Sequence, residues 1–383
     1  MIPSRQQCQS CAASALREIA GFRELPRVTS DSKPFPAGGR LFVCERCGLV
    51  QKTVDRDWLR ETEQIYRDYE MYYQSGSTDQ PVFDPVSGRP RGRCEALSAR
   101  LREARRLPDS GKLLDVGAGA GAMLAAFSRE FPGWRLFGLD LDTRKEAALK
   151  KIPRFERLFT QPPEELREQF DLITLVHSLE HFPDPLAMLG KLRERLAPGG
   201  RLFVEVNNVE RTPFDLVVAD HLCHFSPASL CAIVARAGIG IEVIKDDWIA
   251  KELSLLASRD SAGAAPAENA ADAIAKTEAE AAWLARLFAD ARAAASGGRF
   301  GIFGTSIAAT WLASGLGDAV EFFVDEDTAR QGRTHLSRPV LAPAQVPAGS
   351  VVYLAFVREV ATAIRERLAS LPIKFAAPSM QPA

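Results

Sequence analysis

Three glycines at alternate positions, Gly117, Gly119 and Gly121, close a short run reading Lys-Leu-Leu-Asp-Val from Lys112. Leu113 and Leu114 belong to a strand tipped by Asp115, and Met123, Leu124, Ala126 and Phe127 begin an amphipathic helix at once. Strand, glycine turn and helix open a nucleotide-binding βαβ unit, because the backbone must turn tightly and admit a ligand where a Cβ would clash. A second apolar run ends in Asp140, placed to accept hydrogen bonds from ribose hydroxyls.

The strands and helices that follow alternate. A helix is expected over 144–150, a strand over 155–159 and a buried strand over 170–176, whose continuous apolar character fits a strand covered on both faces. Then come a helix over 186–196, a strand over 201–206, and strands at 239–245 and 253–257 that bring the sheet to seven. This rhythm predicts an α/β fold with a parallel, doubly wound sheet. Ligands bind beyond the carboxyl ends of such strands, where Gly117–Gly121, Asp140, His177 and Asn207 fall.

At 383 residues and 46% hydrophobic content the chain holds two or three domains. A net charge of −1 gives no basic footprint for nucleic acid. No apolar stretch approaches the length of a membrane span and the first residues lack a signal-type core, so a cytoplasmic location is expected. Seven cysteines make an odd inventory for disulfides. Cys8-x-x-Cys11 and Cys44-x-x-Cys47 instead form two knuckles able to close a tetrahedral, structural Zn2+ site; redox-active cysteines are the alternative. The stretch between them has little periodicity and needs such a staple.

Tyr66, Tyr69, Tyr72 and Tyr73 follow, either as a packing face or as a phenol-tipped wall over a site. Residues 79–92 look like a turn-rich connector, and a basic helix over 94–106 leads into the central domain. His177-x-x-Glu180-His181 is also the helical zinc string of inverzincin proteases, but here it ends a strand before Pro-Asp-Pro, which denies it that geometry. Asp220, His221 and His224 lie in a later loop and are a candidate acid–base group, or a cap for the next helix. Residues 261–272 read as a linker, followed by a helix with Ile274, Ala281, Leu284, Leu287, Phe288 and Ala291 on one face. A second nucleotide-fold unit then starts at Gly301 and Gly304-Thr305-Ser306, with a helix through Leu312 and further strands at 320–325, 350–357 and 373–376. It lacks a dinucleotide fingerprint, and its loop is either an anion-binding helix start or a structural lid.

The glycine spacing, with an acid two residues ahead, resembles motif I of class I S-adenosylmethionine (SAM)-dependent methyltransferases. Taken with CQSC…CERCGLVQ, YYQSGS, SLEHFPDP, DHLCHFS and GIFGTS…FFVDED…QGR, the chain resembles sugar C-methyltransferases acting on nucleotide-linked keto-deoxysugars, over nearly its whole length. That resemblance implies a zinc-binding and tyrosine-rich segment over 1–78, a methyltransferase domain over 79–259, a linker and helix over 260–296, and a Rossmann-like domain over 297–383. It implies SAM contacts at Asp115, Gly117, Ala118, Gly119, Gly121, Asp140 and Leu141, and at His177, Glu180 and His181 after the fourth strand. It implies His221 as the base that forms a sugar enolate, with Asp220 and His224 beside it and Tyr72 against the substrate. The partner is then a small molecule, a sugar nucleotide, with the protein a monomer or small homo-oligomer and neither nucleic acid nor membrane involved. Asp220 stands where those enzymes carry glutamate and Val218 where they carry tyrosine. O- or N-methylation of another sugar or a polysaccharide precursor is therefore the alternative, with a non-catalytic SAM- or zinc-binding protein the other.

Overall fold

The computed structural model describes residues 6–69, 79–84, 89–261, 269–356 and 358–378. At its centre lies a seven-stranded sheet: β1 (Ser110–Val116), β2 (Gly133–Leu139), β3 (Phe155–Phe159), β4 (Phe170–Val176), β5 (Leu196–Asn207), β6 (Gly240–Lys245) and β7 (Glu252–Ser258). Its spatial order is β3-β2-β1-β4-β5-β7-β6. All neighbours run parallel except β7, which is antiparallel to both β5 and β6. The parallel, doubly wound sheet expected from the sequence is present over β1 to β5, and β6 and β7, joined too closely for a crossover, pair as a hairpin at its edge.

Both faces of the sheet are covered. Leu114, Phe137, Ile173 and Val204 enter one apolar core, while Leu113, Leu136, Leu172 and Phe203 enter another beside Leu124 and Phe127 of the helix Ala122–Glu130. Adjacent residues on each strand thus go to opposite cores, which accounts for the unbroken apolar runs. The helix expected over 144–150 is a 3-10 turn (Thr143–Lys145) and one short helix (Glu146–Leu149). The expected connector at 79–92 forms paired strands, Pro81–Asp84 with Arg89–Gly92.

The cysteine-containing segment is folded as well. Leu16–Glu18, Phe42–Cys44 and Val50–Gln51 form a small sheet whose fourth strand, Cys223–His224, comes from the central domain. Val28 also bridges to Val218. Beyond the 26-residue helix Ala270–Ala295, the C-terminal domain carries β8 (Phe300–Phe303), β9 (Phe322–Val324), β10 (Thr334–His335), β11 (Arg338–Leu341), β12 (Val351–Tyr353) and β13 (Lys374–Ala376). These are ordered β10-β11-β9-β8-β12-β13, parallel except for β10. Ala281, Leu284, Leu287 and Ala291 of the long helix are buried as the periodicity predicts, with Phe22, Val28, Leu216, Phe300 and Trp311 in the same core. The N-terminal segment is therefore wedged between the other two domains, and Trp311 Nε1 donates to the Pro26 carbonyl at 2.6 Å. Among the described residues no helix is long and apolar enough to cross a membrane.

Candidate active site

The glycine turn leaves β1 with Gly117 at φ +81°, Gly119 at +49° and Gly121 at +82°, all in the left-handed region that disfavours side chains. A Cβ on Gly117 would lie 2.8 Å from Ser178 Cβ, so the loop after β4 packs directly on the turn. The Gly117 amide donates to the Leu139 carbonyl at 2.8 Å, tying β1 to β2. Asp140 spans the same gap: Oδ2 accepts from the Gly119 amide and Oδ1 from the Asp142 amide, both at 2.8 Å. Leu141 beside it is 85% exposed, and Ala118 is buried under the turn. Asp115 is buried, accepts from Thr174 Oγ1 at 2.7 Å, and burial raises its pKa to about 7. It holds β4 to β1.

His177, at the end of β4, has φ +50°, a strained conformation for a side chain of this size. Its Nε2 lies 3.0 Å from Glu252 and its Nδ1 3.4 Å from Glu180, while Glu252 also pairs with Arg93 at 2.8 Å. Burial and the Arg93 guanidinium oppose its protonation, yet Glu252 and Glu180 outweigh both and raise its pKa to about 9. Glu180 is buried, meets only the His177 ring at 3.4 Å among the described residues' ion pairs, and faces the loop that carries His221. Glu180 and His181 thus sit with the histidine cluster, while Ser178 is the residue of this loop that packs on the glycine turn.

The second constellation comes from the loop after β5. The His221 and His224 rings point at one carboxylate, Asp215: His221 Nδ1 lies 2.8 Å from Oδ1 and His224 Nδ1 2.7 Å from Oδ2. Asn207 Nδ2 adds a third donor at 2.8 Å. Burial works against ionising Asp215, but these rings outweigh it and hold its carboxyl well below the usual range. Burial also opposes charging His221, but Asp215, Glu180 and Asp220 together raise its pKa. His224 moves the other way, to about 4, through burial and the ammonium of Lys52. Asp220, expected beside His221 in the acid–base group, is not its hydrogen-bond partner: a 3-10 turn at Pro213–Asp215 brings the acid six residues ahead to the His221 ring. Asp220 instead accepts from Ser30 N at 2.9 Å and Ser30 Oγ at 2.5 Å, and lies 3.4 Å from His181. The next helix is capped by Ser226, so neither histidine is needed there.

Three groups in this cluster come from the N-terminal segment. Ser30 holds Asp220. Lys52, fully buried, donates to the Val218 and His221 carbonyls at 2.7 Å each and lies 3.0 Å from His224 Nε2; burial pushes its pKa down to about 7. Tyr66 places its hydroxyl 2.9 Å from His181 Nδ1, and the His181 ring stands edge-on to His221 at 4.7 Å. Sequence reasoning found Tyr66 only as part of a patch and missed Asp215, Lys52 and Ser30; the Pro-Phe-Asp turn ahead of the histidines was the one available signal. Tyr72 lies outside the described residues.

The four knuckle cysteines converge. Cys8 and Cys47 sulfurs are 3.5 Å apart, Cys11 and Cys44 sulfurs 3.6 Å, and all four lie within 4.8 Å of one another. Disulfide sulfurs would be about 2 Å apart, whereas four sulfurs at about 2.3 Å from a tetrahedral zinc sit about 3.8 Å from each other. The donor set and spacing fit zinc.

A cavity of about 470 Å³ runs from this cluster to the C-terminal domain, with Asn207 and Asp215 at one side and Ser306, Ile307 and Phe356 at another. Lys251 lines it. Among the described residues its ammonium has no carboxylate partner and lies 6.0 Å from the Phe356 ring, and burial lowers its pKa.

Residues 89–242 match a family described as a methyltransferase domain. The chain is 30% identical over 176 residues to the ubiquinone biosynthesis O-methyltransferase of Xanthomonas axonopodis pv. citri (strain 306), covering 39% of this chain and 69% of that protein. It is 31% identical over 166 residues to the protein of that name in Xylella fastidiosa (strain 9a5c), covering 36% and 65%. The chain thus spans about two thirds of the length of these relatives. Among solved structures, Burkholderia thailandensis 1,6-didemethyltoxoflavin-N1-methyltransferase is similar at 19% identity, covering 56% of this chain and 96% of that one, with a TM-score of 0.39.

Proposed function

The chain belongs to the SAM-dependent methyltransferases, and we propose that it methylates a small anionic acceptor, of the sugar-nucleotide class, held between its central and C-terminal domains. The observation that carries this reading is the Asp215–His221 pair: a buried, oriented histidine whose carboxylate partner lines a cavity that continues to Lys251, a desolvated lysine with no carboxylate partner among the described residues.

The residues around the glycine turn suit SAM. The turn is held tight by glycines at positive φ against Ser178 and Leu149, Asp140 is anchored by two amides with further lone pairs to offer ribose hydroxyls, and exposed Leu141 offers an apolar surface to adenine. SAM supplies a methyl group on a sulfonium, which needs no further activation. The protein's part is orientation and proton removal. An ionised Asp215 can only accept, so His221 carries its proton on Nδ1 and presents a bare Nε2 as base. When His221 takes the acceptor's proton, the imidazolium is stabilised by Asp215 and by the nearby Glu180. His181 and Tyr66 close the wall beside it. In the keto-sugar reading the proton leaves the carbon next to the ketone, and Lys251 faces the phosphates. The four cysteines hold a structural zinc that braces the segment bearing Ser30, Lys52 and Tyr66.

The names of the two relatives favour a second reading, in which the same base deprotonates a hydroxyl and the product is an O-methyl ether. Incubation of a nucleotide-linked keto-deoxysugar with the protein in D2O, without SAM, separates the two. Enolate chemistry predicts deuterium entering beside the ketone at a rate that depends on His221. No exchange, with methyl found on oxygen once SAM is added, would replace the carbon assignment by the oxygen one.

A further inference from the structure

Asp215 carries one negative charge and two histidines, and only one of them can profit from it in full. Both rings approach through Nδ1, and both must donate there because the ionised carboxylate has no proton to give. The rings differ at Nε2. His224 Nε2 lies 3.0 Å from Lys52 Nζ, whereas the His221 ring meets the edge-on ring of His181. Lys52 has three ammonium protons and three acceptors within reach: the Val218 carbonyl, the His221 carbonyl and His224 Nε2. An ammonium in that position saturates its donors only if His224 Nε2 is bare. A proton there would face the ammonium head-on in a buried space, which low dielectric makes costly.

We propose that Lys52 is a positioning residue for methyl transfer: it keeps His224 neutral, as the Nδ1–H tautomer, and so reserves the Asp215 charge for His221. The inference rests on His221 serving as the base. Lys52 touches neither reacting atom; it acts through His224 and Asp215, and through the His221 carbonyl it also fixes the backbone of the base itself. The charges facing this group are Asp215, Asp220 and Arg27 around Lys52, with Glu180 and Asp220 around His221. The acids favour protonating His221, and within this set Lys52 is the cation in contact with His224. Lys52 follows directly on the strand Val50–Gln51, which pairs with Cys223–His224, so strand register delivers the ammonium to the ring.

The test uses 15N-histidine spectra of the intact protein, practical because the chain has five histidines. In the wild type, His224 should show a protonated Nδ1 and a bare Nε2 at neutral pH. In Lys52→Met, of similar length without charge, His224 should titrate at higher pH and His221 at lower pH than in the wild type. Turnover should fall about 100-fold, the scale set by a misplaced general base, with SAM affinity unchanged. A wild-type His224 protonated on Nε2, or a Lys52→Met protein with unchanged midpoints and turnover, would overturn the proposal. Should Lys52→Met fail to fold, the wild-type spectrum alone decides. Loss of the general-base reading would show separately, as full turnover in His221→Ala.

Discussion

The central and C-terminal domains open with the same βαβ device and finish it differently. In both, a glycine after the first strand donates to the last residue of the second: Gly117 to the Leu139 carbonyl at 2.8 Å, Gly304 to that of Val324 at 2.6 Å. In both, an acid follows the second strand and accepts from the amide two residues on, Asp140 from Asp142 and Asp325 from Asp327. The remaining oxygen separates them. That of Asp140 is held by the backbone of the glycine turn, with an exposed leucine beside it. That of Asp325 takes the Thr305 hydroxyl at 3.0 Å and lies 3.4 Å from the Arg330 guanidinium. Where the central domain leaves an exposed leucine beside the acid, the C-terminal domain sets its own arginine against it. On the proposed reading the same fold therefore offers a cofactor cleft once and a wall the second time.

The sharpest way to break this comparison is to put valine at each glycine. Gly117→Val forces a Cβ against Ser178 and should abolish SAM binding, a loss of more than about 100-fold by calorimetric titration, reflecting several kcal/mol of lost fit. Gly304→Val, whose Cβ would meet nothing nearer than Phe356 at 3.6 Å, should cost about 1–2 kcal/mol of stability through its φ of +86° and leave SAM affinity alone. Equal loss of SAM binding in both would erase the distinction. Next in size, His221→Ala should lower turnover about 10²–10⁴-fold while SAM still binds; unchanged turnover would remove it as the base.

Lys251→Ala addresses the cavity joining the two units. It should raise the KM for an anionic acceptor about tenfold, the worth of one charge-assisted contact, with little change in kcat or SAM affinity. An equal effect on an uncharged acceptor would deny the lysine its anion-reading role. Metal analysis should find one zinc per chain, lost in the Cys44→Ser, Cys47→Ser double variant, and zinc retained there would point to other ligands.

The smallest effects lie in pH. His221 has a raised pKa, and a base must be unprotonated to act, so kcat/KM should fall as pH drops through a midpoint above about 6.5. For His177 the sign concerns stability. Its folded pKa of about 9 lies above the ordinary 6.5, so its contacts with Glu252 and Glu180 contribute in full below about pH 6.5 and are lost as pH rises through about 9. Denaturation midpoints that do not fall in that window, or that fall equally in His177→Gln, would locate the pH sensitivity elsewhere.

The order of strands and helices, the glycine turn, Asp140 and the four cysteines were legible because each follows from spacing along the chain: apolar periodicity, a turn that needs glycine, paired knuckles. The errors came where spacing is silent. Asp220 and His221 are adjacent, which leaves no easy contact between their side chains, and no spacing showed that the 3-10 turn brings Asp215 to the ring. Residues 79–92 read as turns because proline and glycine recur in them, yet Pro81–Asp84 pairs with Arg89–Gly92 as strands. Ser30 and Lys52 carried no local signal at all.

Local chemistry thus determined the strand–turn–helix unit and the acid that faces it, since a tight glycine turn, an acid ending the next strand and alternating apolar runs fix their own neighbours within a few residues. Only the tertiary structure decided what surrounds His221, the proposed base. Ser30 and Lys52 lie 190 and 169 residues from Asp220 and His221 in sequence, and they arrive because the N-terminal segment adds its small sheet to the strand Cys223–His224. Contacts across such distances follow from how separate apolar faces pack together, which no spacing along one stretch of chain records.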